Sequence, residues 1–201
     1  MPQRPMSSPR ILGIDPGIAG TGIAVIELGR RVRLVEMGSV RTLPSGRKAK
    51  LRQADDDASR LRIILAAIVR AIDDHGPCVV AYETPLGSKG VRAAKSLAYV
   101  IGGVVTLAAE RELAVMSVTP GEAKAEATGA KTASKAEIEA ALCDRLDLPS
   151  DLVPVAKVDR EHAFDALAVA LVASRSELVR AMLTFAALAG RPPMRLVTDD
   201  E

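Results

Sequence analysis

The sequence predicts an α/β protein built on a five-stranded mixed sheet flanked by helices. Three apolar segments near the N-terminus are joined by short turns, which is typical of an antiparallel meander. Two later apolar segments, 78–82 and 114–119, alternate with stretches of helical periodicity, and this alternation is typical of strands covered by helices. The 201 residues are enough to bury one core.

Each predicted element has its own signal. Residues 54–74 carry apolar groups three and four positions apart and stop at Gly76-Pro77, which predicts a long helix. Thr119 and Ser134 precede further helical segments and can cap them. The predicted domain covers 11–188, between flexible tails at 1–10 and 189–201. The strands are predicted at 11–14, 22–28, 32–42, 78–82 and 114–119, and the helices at 54–74, 90–111, from Thr119 onward, 134–146 and 159–186.

Composition restricts how the chain can bind a partner. Aromatic residues make up only 2% and Trp is absent, so stacking of bases on aromatic rings is excluded as a major binding mode. The net charge is +2, but eight Lys and Arg residues lie between Arg30 and Arg52, against Glu36 alone. Lys124, Lys131 and Lys135 form a second basic group. Such clusters indicate either phosphate contacts or a solvated surface.

The cysteines and the apolar runs indicate a reducing, cytoplasmic setting. Cys78 and Cys143 lack metal-site spacing, and Cys78 opens an apolar run, which predicts a buried free thiol. No uninterrupted apolar run approaches the roughly 18 residues of a membrane span, so we predict no membrane partner.

Four polar residues stand where catalytic groups commonly lie. Asp15 ends the first predicted strand and Glu83 ends the fourth. His162 and Asp165 are three positions apart, and so on one face of a helix otherwise rich in Ala, Leu and Val. Each has an ordinary alternative: a turn residue for Asp15, an exposed strand end for Glu83 and a surface residue for His162. Asp165 is the hardest to dismiss, because an apolar helix face buries a carboxylate at a cost unless it is paired or binds a cation.

Together these residues favour metal-dependent phosphoryl transfer. Two divalent ions about 3.5–4 Å apart can activate a water and stabilise the leaving oxygen of a phosphodiester. Carboxylates suit Mg²⁺ or Mn²⁺. We assign the bridging role to Asp15, because it lies on the predicted central strand.

Four segments, in order, resemble the RuvC family of Holliday-junction resolvases. They are ILGIDPGIAGTGIAVIE (11–27), VAYETP (80–85), VTPGEAKAEATGAKTASKAEIE (118–139) and HAFDALAVAL (162–171). The resemblance spans roughly residues 11–175 and implies a ribonuclease-H-like fold. It also implies metal ligands at Asp15, Glu83, His162 and Asp165, with Lys124 and Lys135 acting on the phosphate near the cut.

Three features depart from the family pattern. Most members have Asp where this chain has His162, although some carry His, and Glu161 is a rival ligand one turn from Asp165. An aromatic residue that helps to open the junction is replaced by Leu86. The segment 87–95 is unusually basic. These departures resemble bacteriophage members, which often have broader branched-DNA substrates.

The resemblance implies a homodimer that binds four-way or branched DNA and makes paired nicks leaving 5′-phosphate and 3′-hydroxyl ends. It leaves the sequence preference and any branch-migration partner open. Backbone contacts are predicted for the basic residues Arg47, Lys48, Lys50, Lys89, Arg92, Lys95, Lys124, Lys131 and Lys135. The dimer surface is predicted on the helix that begins near Lys89.

Three other interpretations compete with this one. An ATP-binding protein of the actin and sugar-kinase superfamily needs two such domains and a second phosphate loop, which 201 residues do not offer. A small YqgF-type nuclease lacks the basic segment 118–139 and the extra length. A non-catalytic branched-DNA binder is the alternative from a different class, because His162 departs from the usual ligand.

Overall fold

The computed structural model describes residues 8–46, 51–84, 87 and 90–189. Its elements are, in chain order, β1 (Arg10–Asp15), β2 (Gly20–Leu28), β3 (Val32–Arg41), α1 (Gln53–His75), β4 (Val79–Glu83), α2 (Val91–Glu110), β5 (Ala114–Val118), α3 (Pro120–Thr128), α4 (Lys135–Leu146), α5 (Lys157–Ser174) and α6 (Glu177–Ala189). The described part of the predicted domain therefore has the predicted strand order. Most of the two predicted tails lies outside the described residues.

The five strands form one mixed sheet in the order β3-β2-β1-β4-β5. The first three strands are antiparallel neighbours, as the short turns predict. β4 and β5 then extend the sheet in parallel on the other side of β1. β1 is therefore the central strand, and Asp15 lies at its end.

Helices cover both faces of the sheet because the side chains of the central strands alternate between two cores. Ile11 of β1 belongs to one apolar cluster, together with residues of α3, α4 and α5. Leu12 and Ile14 belong to the other cluster, with residues of α1 and α2. β1 is thus buried on both faces, which explains why it is a continuous apolar run in the sequence.

Capping residues set several helix ends. α1 stops at Gly76, which has φ of 54° and donates its N–H to the Ile72 carbonyl. α3 and α4 each begin with a capping box, formed by Thr119 with Glu122 and by Ser134 with Glu137. These starts agree with the prediction from sequence.

The predicted single helix over 159–186 is wrong, because the structure divides it into α5 and α6. The break lies at Arg175 and Ser176. Ser176 Oγ donates to the Ala173 carbonyl at 2.7 Å and accepts from the Val179 N–H at 3.3 Å. The serine side chain therefore ends one helix and caps the next, a signal that the apolar periodicity hides.

α2 is long and apolar enough, by length and composition alone, to cross a membrane. Core helices of soluble proteins can have the same length and composition. Here the buried face of α2 packs on the sheet and on α1 through Val100, Val104 and Ala108. The opposite face carries exposed apolar side chains, including Tyr99 and Val105.

Both cysteines are free thiols. Cys78 is half-buried rather than fully buried as predicted, and its Sγ donates to the Arg10 carbonyl at 3.3 Å. Burial raises the pKa of the Cys78 thiol. Cys143 is exposed on α4.

Candidate active site

Asp15 and Glu83 come together because β1 and β4 are adjacent and parallel. Ile14 lies opposite Tyr82 in their register, so the next residue of each strand, Asp15 and Glu83, stands at the same edge of the sheet. The carboxyl ends of neighbouring parallel strands are where α/β proteins commonly bind ligands. The predicted pair of strand-end carboxylates is therefore a real spatial pair.

α5 brings the other two predicted residues to this edge. It crosses β1 and β2, and the His162 Nδ1 atom lies 2.7 Å from Asp15 Oδ2. Asp165, one turn later, interacts electrostatically with Asp15 and Glu83. All four predicted residues thus meet at one end of the sheet, with His162 side-chain exposure of 30% and Asp15 of 16%.

Small residues make this approach possible. A Cβ on Gly22 would overlap the His162 carbonyl, and a Cβ on Gly13 would overlap the Ala166 carbonyl. The helix backbone therefore rests directly on the two central strands. This close contact explains why the glycines of the first sequence motif matter for the site.

The β1–β2 turn is fixed from within. Thr21 is fully buried, and its Oγ1 donates to the Gly17 carbonyl at 2.8 Å. Gly20 lies so close to His162 that an added Cβ would be 2.7 Å from Nε2. The turn after Asp15 is thus shaped to accept the imidazole.

Lys135, at the first position of α4, reaches into the acidic cluster. Its Nζ lies 3.1 Å from Asp165 Oδ2 and 3.5 Å from Glu161 Oε2. Burial opposes its charge, but the carboxylates of Asp165, Glu161 and Asp15 outweigh burial and raise the pKa of Lys135. Lys124 on α3 is near enough to favour the charged form of Glu83.

The cluster has too much negative charge for its degree of burial. Burial, together with the carboxylates of Asp15 and Asp165, raises the pKa of Glu83 to about 7. Burial and the Asp15 charge also raise the pKa of Asp165. The hydrogen bond that the His162 Nδ1–H donates to the Asp15 carboxylate raises the pKa of His162. Crowded, half-buried acids of this kind are typical of functional sites.

The donor set suits a hard divalent cation, although the side chains are paired with one another. In the part of the chain that the structure describes, no group of three His, Cys, Asp or Glu side chains is arranged to hold a metal ion as it stands. Asp15 is hydrogen-bonded to His162, and Asp165 forms an ion pair with Lys135. A cation would relieve the carboxylate repulsion that raises the pKa of Glu83, so the donor chemistry fits.

The basic residues predicted to contact DNA divide into three groups: Lys124 and Lys135 beside the acidic cluster, others exposed on the surface, and a third group outside the described residues. Arg92 and Lys95 are exposed in the first turns of α2, and Lys131 is exposed beside Glu122. Arg47, Lys48, Lys50 and Lys89 lie outside the described residues, as does Leu86. Between Arg30 and Arg52, the basic residues that the structure describes do not form one surface. Arg30, Arg31 and Arg33 lie near the hairpin between β2 and β3, far along these strands from the register of Asp15.

The sequence prediction missed a buried polar cluster next to the site. Asp56, Asp57 and Arg60 of α1 are all less than 10% exposed, and Ser96 of α2 lies with them. The acidic first turn of α1 is explained in the sequence by the helix dipole, which gives no reason to expect burial. The one sequence feature that could have indicated an ion cluster is Arg60, which lies one helical turn after Asp56 and Asp57.

The fold and the acidic cluster define a ribonuclease-H-like protein with a site typical of metal-dependent nucleases. The family model described as "Crossover junction endodeoxyribonuclease RuvC" matches residues 11–173. The chain therefore belongs to the RuvC family of crossover junction endodeoxyribonucleases, and it is an enzyme of that class.

Individual relatives agree with this assignment. The crossover junction endodeoxyribonuclease RuvC of Parafrankia sp. (strain EAN1pec) is 35% identical over 164 residues, which is 81% of this chain and 84% of the relative. The corresponding protein of Frankia alni is 37% identical over 165 residues, 81% of this chain and 76% of the relative.

Solved structures show the same fold. T. thermophilus RuvC in complex with a Holliday junction substrate matches with a TM-score of 0.66 and 26% identity, covering 81% of this chain and 91% of that one. The yeast mitochondrial Holliday junction resolvase Ydc2 matches with a TM-score of 0.63 at 12% identity, covering 93% of this chain and 87% of that one, which supports the fold alone. The resemblance to bacteriophage members stays a prediction.

Proposed function

We propose that this protein is a homodimeric endonuclease that resolves four-way and related branched DNA in recombination and repair. Each subunit would nick one of two symmetric strands and leave 5′-phosphate and 3′-hydroxyl ends. The observation that carries the proposal is the convergence of Asp15, Glu83, His162 and Asp165 at one sheet edge in a chain of the RuvC family. The T. thermophilus relative that is bound to a Holliday junction supports the choice of substrate.

The acidic residues would hold two Mg²⁺ ions, for which Mn²⁺ can substitute. Asp15 would bridge them from the central strand, while Glu83 and Asp165 would each hold one. When bound, such ions activate the attacking water and stabilise the leaving oxygen. His162 is favoured over Glu161 as the remaining ligand, because His162 contacts Asp15 whereas Glu161 contacts Lys135.

The neighbouring residues would orient the reaction. Asp15 holds the imidazole of His162 through Nδ1, which leaves Nε2 available on the side of Gly20. Nε2 would either bind a metal ion or take up a proton from the attacking water. Lys135 and Lys124 would exchange their carboxylate neighbours for phosphate oxygens near the cut.

The basic surface around the site would follow the DNA backbone. Arg92 and Lys95 are exposed where α2 begins, and Arg92 lines the same cavity as His162. Lys131 adds a positive charge on the side of α3. We keep the proposed backbone contacts of Arg47, Lys48, Lys50 and Lys89, which lie outside the described residues.

The exposed apolar face of α2 supports the proposed homodimer. Val91, Tyr99 and Val105 are exposed there, on a helix that is long and apolar. A helix of this kind in a DNA-cutting enzyme needs a partner, and a second copy would place two active sites on one junction. The two free thiols fit a cytoplasmic enzyme.

A nicking assay tests this function. Wild type should cut both symmetric strands of a mobile four-way junction but not a linear duplex of the same sequence, and EDTA should abolish cutting. Asp15→Asn should lose cleavage by a factor of about 10³ or more while retaining junction affinity, because the bridging carboxylate is lost. Asp74→Asn, on the exposed end of α1, is the matched control and should cut normally.

The outcomes are distinct. Normal cutting by Asp15→Asn would show that the assigned site is wrong. Tight binding of the junction by wild type without cutting in Mg²⁺ or Mn²⁺ would instead support the non-catalytic branched-DNA binder.

A further inference from the structure

Arg60 is a buried arginine on α1. It is only 7% exposed, although arginine is rarely buried without a partner. Its Nη1 atom is 3.9 Å from a carboxylate oxygen of both Asp56 and Asp57. Because a buried guanidinium is costly unless its charge and its donors are matched, the fold has built a specific environment for it.

The remaining donors of Arg60 reach Thr42, which directly follows β3, and the turn between β1 and β2. Nε donates to Thr42 Oγ1 at 2.8 Å, and Nη2 donates to the Ile18 carbonyl at 3.1 Å. Thr42 Oγ1 donates to the same Ile18 carbonyl, and the Thr42 N–H donates to the Ala19 carbonyl at 3.2 Å. Arg60 and Thr42 together therefore hold two successive carbonyls of this turn.

The same turn forms one wall of the acidic site. It directly follows Asp15, and Gly20 at its end lies against His162. Residues 16–20, Arg60 and His162 line a common cavity of about 600 Å³. Arg60 thus contacts the turn at Ile18, and His162 lies against it at Gly20.

We propose that Arg60 is a positioning residue that holds the β1–β2 turn against His162 and so sets how His162 meets Asp15. Arg60 acts through Thr42 and the Ile18 and Ala19 carbonyls. The inference rests on the proposed function, since it takes Asp15 and His162 as the groups that do the chemistry.

The segment that precedes the basic residues Arg47, Lys48 and Lys50 is held by the same cluster of Arg60 and its acidic neighbours. Asp56, which faces Arg60, accepts a hydrogen bond from the Ser45 N–H at 2.8 Å. Ser45 lies just before the basic residues 47–50. Ser45, which precedes the residues proposed to bind DNA, and the turn that borders His162 are therefore both anchored on one buried ion cluster.

Arginine suits this role because its donors point in fixed, different directions. The planar fork supplies Nε to Thr42 and Nη2 to Ile18 at the same time. A lysine would keep the charge but could not make both contacts. A methionine would keep much of the volume and lose both.

The test separates the rate of cutting from DNA binding and from stability. Arg60→Met, Arg60→Lys and Thr42→Val are compared with wild type in single-turnover nicking of a four-way junction at saturating protein, well below each melting temperature. Junction affinity and Tm are measured in parallel. Arg70→Met is the matched control, because Arg70 also lies on α1 and pairs with Glu36 at 2.9 Å but does not contact the turn.

We expect Arg60→Met to cut about 10- to 100-fold more slowly, because a shift of about 1 Å in a catalytic group can cost that much. Its junction Kd should stay within about 3-fold of wild type, because Arg60 is buried and because the hydrogen bond that anchors Ser45, before the basic residues, is made by Asp56 and not by Arg60. Arg60→Lys should remain slow, and Thr42→Val should be slowed to a lesser degree. Arg70→Met should cut at the wild-type rate.

Two results would overturn the inference. One is a wild-type saturating rate for folded Arg60→Met or, if that variant does not fold, for Thr42→Val. The other is a loss that appears only in Tm or Kd. If Asp15→Asn remains inactive in the same assay, the proposed function stands and only the role of Arg60 is wrong. If Asp15→Asn cuts normally, the assigned site is wrong as well.

Discussion

At the residue scale, the charge that Glu83 needs in order to bind a cation is also a charge that destabilises the metal-free fold. It ends a buried strand beside two other carboxylates, and these surroundings raise its pKa to about 7. In the unfolded chain the same group ionises near 4.5. Between these values the folded state keeps a proton that the unfolded state has lost. Glu83 therefore makes the metal-free protein less stable as the pH rises from about 4.5 to 7.

We expect Glu83→Gln to raise the Tm of the metal-free protein at pH 8 and to change it little at pH 4.5, because the amide removes a charge that is costly to bury. Thermal melts in EDTA at both pH values measure this effect. Adding Mn²⁺ at pH 8 should stabilise wild type but not the variant. Glu110→Gln, at the exposed end of α2, is the control and should show neither effect. A Tm difference that is the same at both pH values would contradict the assigned pKa.

His162 and Arg60 differ in how far their sequence context indicates their role. His162 and Asp165 are polar residues within an apolar helical run, so the sequence marks them as candidates. Arg60 lies among other charged residues at the start of α1, which is the usual pattern of a solvated helix end. Its burial arises from Thr42 and Ile18, which are distant in the chain.

At the scale of elements, the packing of α5 on β1 and β2 controls the site. The helix carries His162 and Asp165, and its backbone touches Gly13 and Gly22 with no side chain between them. Protein interiors are close-packed, so a single added methyl group there must displace the helix.

Gly22→Ala should lower the free energy of unfolding by about 1–3 kcal/mol, because the new Cβ overlaps the His162 carbonyl. The variant should also cut more slowly at saturating protein, since His162 and Asp165 move with the helix. Denaturant unfolding and single-turnover nicking measure the two effects. Gly38→Ala on β3 is the control, because its Cβ would meet nothing within 4 Å. Equal behaviour of the two variants would show that α5 has room to move.

The break between α5 and α6 is another property of elements. Apolar periodicity runs through residues 159–186 and predicts one helix, but Ser176 caps a new helix within it. Hydrogen bonds made by the Ser176 side chain therefore end the helix, although the apolar periodicity continues through this point.

At the scale of the whole molecule, the proposed DNA binding depends on the charge distribution, and the proposed dimer depends on the exposed face of α2. The net charge of +2 gives little general attraction to DNA, so the arrangement of the basic residues must supply it. Arg92 and Lys95 lie at the site end of α2, while the apolar face follows along the same helix. DNA binding and dimer formation are thus proposed to share one helix.

Val105→Glu should convert the proposed dimer to a monomer, because a two-fold interface would bury the new charge twice. Sedimentation velocity measures the mass, and the junction assay should show isolated nicks in place of paired ones. Leu178→Glu is the control, since Leu178 is similarly exposed, at 43%, but lies on α6. A Val105→Glu protein that sediments as wild type would place the interface elsewhere.

The sequence by itself determined the order of the strands along the chain and most helix ends. It also marked Asp15, Glu83, His162 and Asp165, which the fold brings to one edge of the sheet, as candidate site residues. These features depend on local signals: apolar periodicity, capping residues, and polar groups at strand ends or within an apolar helix. Parallel pairing of β1 and β4 then follows from the alternation of strands and helices, and it brings Asp15 and Glu83 together.

Only the tertiary structure decided the rest. It separated Arg30, Arg31 and Arg33 from the site, because position along antiparallel strands counts for more than nearness in sequence. It paired His162 with Asp15 and Lys135 with Asp165, and it buried Arg60 beneath the turn. These contacts join residues far apart in the chain, so their existence depends on how the helices pack on the sheet, which no local pattern encodes.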